Sequence, residues 1–167
     1  MARPLAQAAT ARDVERLRVH PDAARHGWDI EYDDDVTVFV GLTARGPSAD
    51  RYLVRLDCDR YDVWPPETRF VNPETRTYAL QADQHHLPSI QGFPNFLIHP
   101  TFTGFFEAGR TDQLVCCSLT RGYYDSKHTP TDDQRWTPGR HWLYSTVKVL
   151  HSALQSVHYH GRLPQVA

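Results

Sequence analysis

Residues 51–71 read RYLVRLDCDRYDVWPPETRFV, and the fold turns on them. Tyr52, Val54 and Leu56 fall at every second position, the period of a strand with one buried face. Pro65 and Pro66 carry no amide hydrogen and cannot stand inside a central ladder, so the strand must break there and a new one resume at Thr68, Arg69, Phe70 and Val71. Upstream, Trp28, Ile30 and Tyr32 alternate with polar residues, an acidic turn Asp33-Asp34-Asp35 follows, and Val36, Val38 and Val40 alternate after it. That pattern predicts a β-hairpin. The polar stretch 44–50, with Gly46-Pro47-Ser48, predicts the turn into the strand of Tyr52. Together these segments predict a four-stranded antiparallel meander.

Working outward, residues 9–17 are rich in helix formers, with Val14 and Leu17 three apart and charges between them, which predicts a short amphipathic helix ending before Pro21. Residues 72–112 are rich in Pro, Gly, His and Asn and show little periodicity. Phe93, Phe96, Leu97, Ile98, Phe102, Phe105 and Phe106 make this connection too apolar for a solvated linker, so it is expected to pack on the body as an irregular crossing. Residues 114–119 form a short apolar run containing Cys116 and Cys117, and 121–135 read as a polar loop. Leu143, Val147, Leu150, Leu154 and Val157 fall at helical spacing and predict a C-terminal helix over 140–157 that covers the sheet. The predicted class is α+β, a single domain over 1–167 with its core at about 13–155.

With 40% hydrophobic and 23% charged residues, the composition is that of an ordinary water-soluble domain. No apolar run approaches the roughly 20 residues of a bilayer span, and the first ten residues lack the apolar centre of a secretory signal. No membrane role and a cytoplasmic location are expected. A formal charge of -2 carries no basic footprint for phosphates, so nucleic acid is not an expected partner. Three cysteines, two of them vicinal, fit free thiols in a reducing compartment.

Three signatures, in the same order, resemble those of the ubiquitin-conjugating enzyme family. Tyr52 to Leu56, then Tyr61, Pro65-Pro66 and Phe70, is similar to that family's strand, Tyr-Pro bend, Pro-Pro and closing strand. His99-Pro100 resembles the start of its His-Pro-Asn motif. Val115-Cys116 stands where the family places its nucleophile, and Trp136-Thr137-Pro138 resembles the Trp-Ser-Pro that opens its next helix. The resemblance spans about residues 13–155 and implies a UBC-like fold with a helix, a meander, a long active-site loop and a C-terminal helix. A divergent bacterial member is the form it most resembles, with antiviral defence suggested by analogy. There are departures. Thr101 stands where the family has asparagine, leaving Thr101 or Asn95 to serve the oxyanion; the segment from Cys117 to Trp136 is long; and the family's last two helices are expected to be missing.

The implied activity is that of a transferase. A ubiquitin-like protein, activated by a partner enzyme, is taken up as a cysteine thioester and passed to an amine of a protein target, with no cofactor. A thiolate suits this because it both attacks and leaves well. Cys116 and Cys117 point to opposite sides of an extended run, so at most one faces a cleft, and the family pattern favours Cys116. Ser118 is a third nucleophile candidate. Tyr124, Asp125 and His128 follow closely enough to orient or deprotonate an incoming lysine. Two alternatives use the same fold: a catalytically silent protein that binds a ubiquitin-like modifier, and a zinc-binding variant with Cys117, His128 and His141 as ligands.

Overall fold

A computed structural model describes residues 3–33 and 35–167; Asp34 of the acidic turn, and Met1 and Ala2, lie outside the described residues. The meander is present. Strands β1 (Asp29–Tyr32), β2 (Thr37–Thr43), β3 (Arg51–Asp57) and β4 (Glu67–Val71) form one antiparallel sheet in sequence order. The register sets Ile30, Val40, Val54 and Phe70 in one row across it. Alternation puts Val38, Val40, Leu42, Val54 and Leu56 on the inner face, each with no more than trace exposure. Each such side chain contributes about 1.5–3 kcal/mol by leaving water. The Tyr61-Asp62 peptide in the bend is cis.

The first and last helices pack against this sheet. The first, α1, runs Arg3–Arg18, longer than residues 9–17, because Ala6 and Thr10 extend the buried stripe of Asp13, Val14 and Leu17 by another two turns. The Thr10 hydroxyl is satisfied by donating to the Ala6 carbonyl at 2.7 Å. Pro21 does not only end α1. It occupies the first turn of a second helix, α2 (Pro21–His26), where the missing amide hydrogen costs nothing. Gly27 ends α2 at φ 63°, a left-handed conformation that glycine takes without strain.

The crossing over 72–112 is more ordered than expected. It holds a 3-10 turn (Gln84–His86) and strands β5 (Pro88–Ile90) and β6 (Leu97–Phe102), and is followed by β7 (Asp112–Cys116). Strands β6 and β7 form a separate antiparallel pair. The free edge of β4 is closed by a side chain: the Gln113 amide accepts from the Phe70 N–H at 2.8 Å and donates to the Phe70 carbonyl at 2.9 Å, standing in for a neighbouring strand.

The segment 121–135 opens with a short helix, α3 (Arg121–Asp125). The C-terminal helix, α4 (Leu143–Gln155), starts later than residue 140 and not at Trp136. Trp136 is buried ahead of it and donates its indole N–H to the Asp62 carbonyl at 2.7 Å, so it anchors the loop to the proline bend. After α4, β8 (Tyr159–Arg162) pairs with β5, an element absent from the sequence-based expectation. Among the described residues no helix is long and apolar enough to cross a membrane.

One buried contact makes stability depend on pH. His151 of α4 is 6% exposed and accepts the Trp28 indole N–H at Nδ1, 3.3 Å away, with the His26 ring 4.2 Å from its own. Burial first, then His26 and Lys148, lowers its pKa from 6.5 to about 4. The folded state therefore favours neutral His151, so its contribution is full above pH 6.5 and is lost as pH falls from 6.5 towards 4. Melting temperature should fall across that window, and His151→Gln should flatten the slope. A variant slope as steep as the parent's, in thermal melts at pH 7, 5.5 and 4.5, would remove His151 as its source.

Candidate active site

The vicinal cysteines sit where a strand becomes a turn, and strand alternation separates them. On β7, Cys116 pairs with Leu97 and Leu114 with His99 across β6. Leu114 and Cys116 share one face and join a small cluster with Phe105, against which Phe102 and Tyr123 pack. Val115 and Cys117 belong to the main core instead. Thr120 then turns the chain, donating its hydroxyl to the Val115 carbonyl at 2.6 Å, with the Cys117 carbonyl 2.9 Å from the same oxygen. Helix α3 follows, tied to the proline bend by the Arg121 N–H donating to the Pro66 carbonyl at 3.1 Å. Gly122 allows α3 to lie close on β7, since a Cβ there would stand 2.8 Å from Leu114 Cδ1.

Cys116 lines a cleft of about 270 Å³ together with Asn95, Leu97, Ser118, Tyr123 and His128. Its Sγ lies 3.8 Å from His128 Nε2. The other ring nitrogen, Nδ1, is 2.8 Å from the Ser126 hydroxyl, which donates its one hydrogen to the Tyr123 carbonyl at 3.0 Å. The Tyr123 ring stacks on the imidazole at 5.0 Å. Burial raises the pKa of Cys116, which is 7% exposed, so at neutral pH the group is a thiol and needs a base to become a nucleophile. Cys117 is 4% exposed, and burial pushes its pKa up to about 11. Cys58 is fully buried, its thiol also raised by burial.

Of the residues expected at the site, the structure brings Cys116 and His128 together and turns Cys117, Tyr124 and Asp125 away. The Tyr124 hydroxyl donates to the Ser118 carbonyl at 2.9 Å and accepts the Trp136 N–H at 2.8 Å. It is a strut between α3 and the following loop, not a cleft group. Asp125 pairs with Arg121 at 3.4 Å and Arg110 at 3.8 Å. The reason is helical geometry: successive residues of α3 project about 100° apart, so only Tyr123 of the three faces the cleft. Ser118 lines the cleft beside Cys116. Thr101 is exposed on β6 outside the cleft lining, whereas Asn95, at φ 56°, lines it.

His141 accepts the Thr137 N–H at 2.9 Å and lies against Trp136, and among the described residues no three His, Cys, Asp or Glu side chains group as metal ligands. Cys117, His128 and His141 are therefore not assembled as a ligand set. Ser126 was missed by reading the sequence; the Ser126-x-His128 spacing was the only signal for it. The chain matches no protein-family model and no curated protein.

Proposed function

We propose that this chain is a UBC-like conjugating enzyme, taking a ubiquitin-like modifier from an activating enzyme as a thioester on Cys116 and passing it to an amine of a protein target. The observation that carries the reading is Cys116 Sγ facing His128 Nε2 at 3.8 Å in an open cleft. Acyl transfer needs a nucleophile that can also leave, a group to move the proton, and a donor for the oxyanion. Cys116 and His128 answer to the first two needs, and Asn95, which lines the same cleft, carries an amide donor of the kind the third requires. The order of helix, antiparallel meander, cysteine-bearing turn and covering helix supports the same reading.

Incubating the chain with a cognate activating enzyme, its modifier and ATP tests it. A covalent adduct that collapses under reducing agent is the expected result. No adduct, with the modifier still co-eluting, would favour the second reading, a silent binding protein. The 7% exposure of Cys116 is the observation on that side.

A further inference from the structure

We propose that Ser126 is a positioning residue that fixes His128 in the tautomer with Nδ1 protonated and Nε2 free, making His128 the proton acceptor for Cys116. The inference deepens the reading of Cys116 as nucleophile and rests on it for the reaction served.

A serine hydroxyl has one hydrogen, and a backbone carbonyl can only accept. Ser126 Oγ lies 3.0 Å from the Tyr123 carbonyl and 2.8 Å from His128 Nδ1. Both contacts are hydrogen bonds only if the hydroxyl donates to the carbonyl and accepts from an N–H at Nδ1. Nε2 then carries the lone pair, and it is this atom that stands 3.8 Å from Cys116 Sγ. Ser126 is 4% exposed, so solvent competes little for its hydroxyl. The Tyr123 stack holds the ring plane while the hydroxyl sets its chemistry.

The charged and titratable groups around the imidazole leave this arrangement intact. Cys116 faces it from β7, His99 from β6 and Tyr123 from α3. Burial, and then His128, lower the pKa of His99, so His99 adds no positive charge at neutral pH. On the same loop, Lys127 is directed over the Phe106 ring, 5.7 Å away. Asp125 is engaged by Arg110 and Arg121.

The proton balance closes in both half-reactions. In loading, the Cys116 S–H proton passes to Nε2 as sulfur attacks the carbonyl carbon, and His128 returns it to the departing thiolate of the activating enzyme. In transfer, a neutral amine attacks the thioester and gives a proton to Nε2. The C–S bond breaks, and the Cys116 thiolate takes that proton back.

The test uses the free protein and iodoacetamide, with alkylation at Cys116 followed by peptide mass mapping as a function of pH. The parent should show a limb of alkylation, rising with pH, in which His128 takes the thiol proton. His128→Gln should lose that limb and react on the order of 100-fold more slowly at pH 7, the scale of general-base assistance. Ser126→Ala should keep the limb but slow it on the order of fivefold, the effect of losing one neutral hydrogen bond to the ring. An unchanged limb in Ser126→Ala would overturn the proposal. Nitrogen-15 NMR of the parent imidazole reads the tautomer directly whether or not a variant folds: protonated Nδ1 supports the relay, and protonated Nε2 with bare Nδ1 sinks it. The conjugation reading fails separately, since a normal alkylation limb with no reducible adduct would remove the conjugation and leave the relay standing.

Discussion

Asp13→Ala should cost about 3 kcal/mol of folding stability, a large share of what a domain of this size has. Asp13 has a side chain 1% exposed on α1, yet it gathers hydrogen bonds from Arg12 at 2.9 Å, Arg16 at 2.8 Å and the Tyr61 hydroxyl at 2.5 Å. Tyr61 in turn accepts the Leu143 N–H, the first residue of α4, at 3.0 Å. One carboxylate thus connects the first helix, the bend before the prolines and the start of the last helix. The two arginines are about half exposed and return to water when the carboxylate goes, so their loss is small. The Tyr61 hydroxyl is fully buried, and leaving it without an acceptor accounts for about 1–3 kcal/mol.

Urea unfolding of Asp13→Ala and of Tyr61→Phe, which removes only the hydroxyl, separates these parts. Equal losses would place the stabilisation on the chain from Asp13 through the Tyr61 hydroxyl to the Leu143 N–H, not on the arginine pairs. Burial alone would raise the carboxyl's pKa, but hydrogen bonds from Arg12, Tyr61 and Arg16 outweigh it and hold the folded value below 3.8. The contribution is accordingly present above 3.8 and lost as pH falls through the folded value, below the window in which His151 acts. An acid-side slope unchanged in Asp13→Ala would contradict this account.

The meander was legible because apolar residues recur with a period of two; β3 alternates in burial accordingly, whereas β2, with the same period of valines, is buried on both faces. Strands β5 and β6 were not legible, for a physical reason. Leu97–Phe102 is neither alternating nor buried, Leu97 being 51% exposed, and both strands contain proline; the partner of β5 is the distant β8, which cannot be read locally. The first helix ends before Pro21 as expected, but Pro21 also opens a second helix, whereas Pro138 does not open the last one. A proline fits both a helix stop and a first turn, and only packing decides: Pro21 opens α2, whereas Pro138 bridges to His141 in a loop held by Trp136. At the site, Cys116 and His128 were legible as residue types near one another in sequence. Ser126 was not, because its effect comes from the hydroxyl's hydrogen count, which exists only once Tyr123 has brought a carbonyl to it.

Cys116→Ala should abolish the reducible adduct completely, while Cys117→Ala should form it at near the parental rate. The two thiols are adjacent in sequence and differ in surroundings. Cys116 opens on the cleft with an imidazole at 3.8 Å, so its raised pKa is offset at the moment of attack by transfer of the proton to Nε2. Cys117 lies in the main core, and a hydrogen bond from the Leu119 backbone offsets only part of the burial that holds its pKa at about 11. Near neutral pH its thiolate is therefore rare as well as inaccessible. Its loss should appear instead as a small cavity, with about 1 kcal/mol of stability removed, as for a typical buried truncation. Intact-mass measurement of adducts, paired with urea unfolding of both variants, reads the two roles on separate axes. An adduct that survives in Cys116→Ala and disappears in a folded Cys117→Ala would move the nucleophile to Cys117. The strand would then have to turn over at the end of β7, because residues 116 and 117 cannot present both thiols to one face of an extended chain.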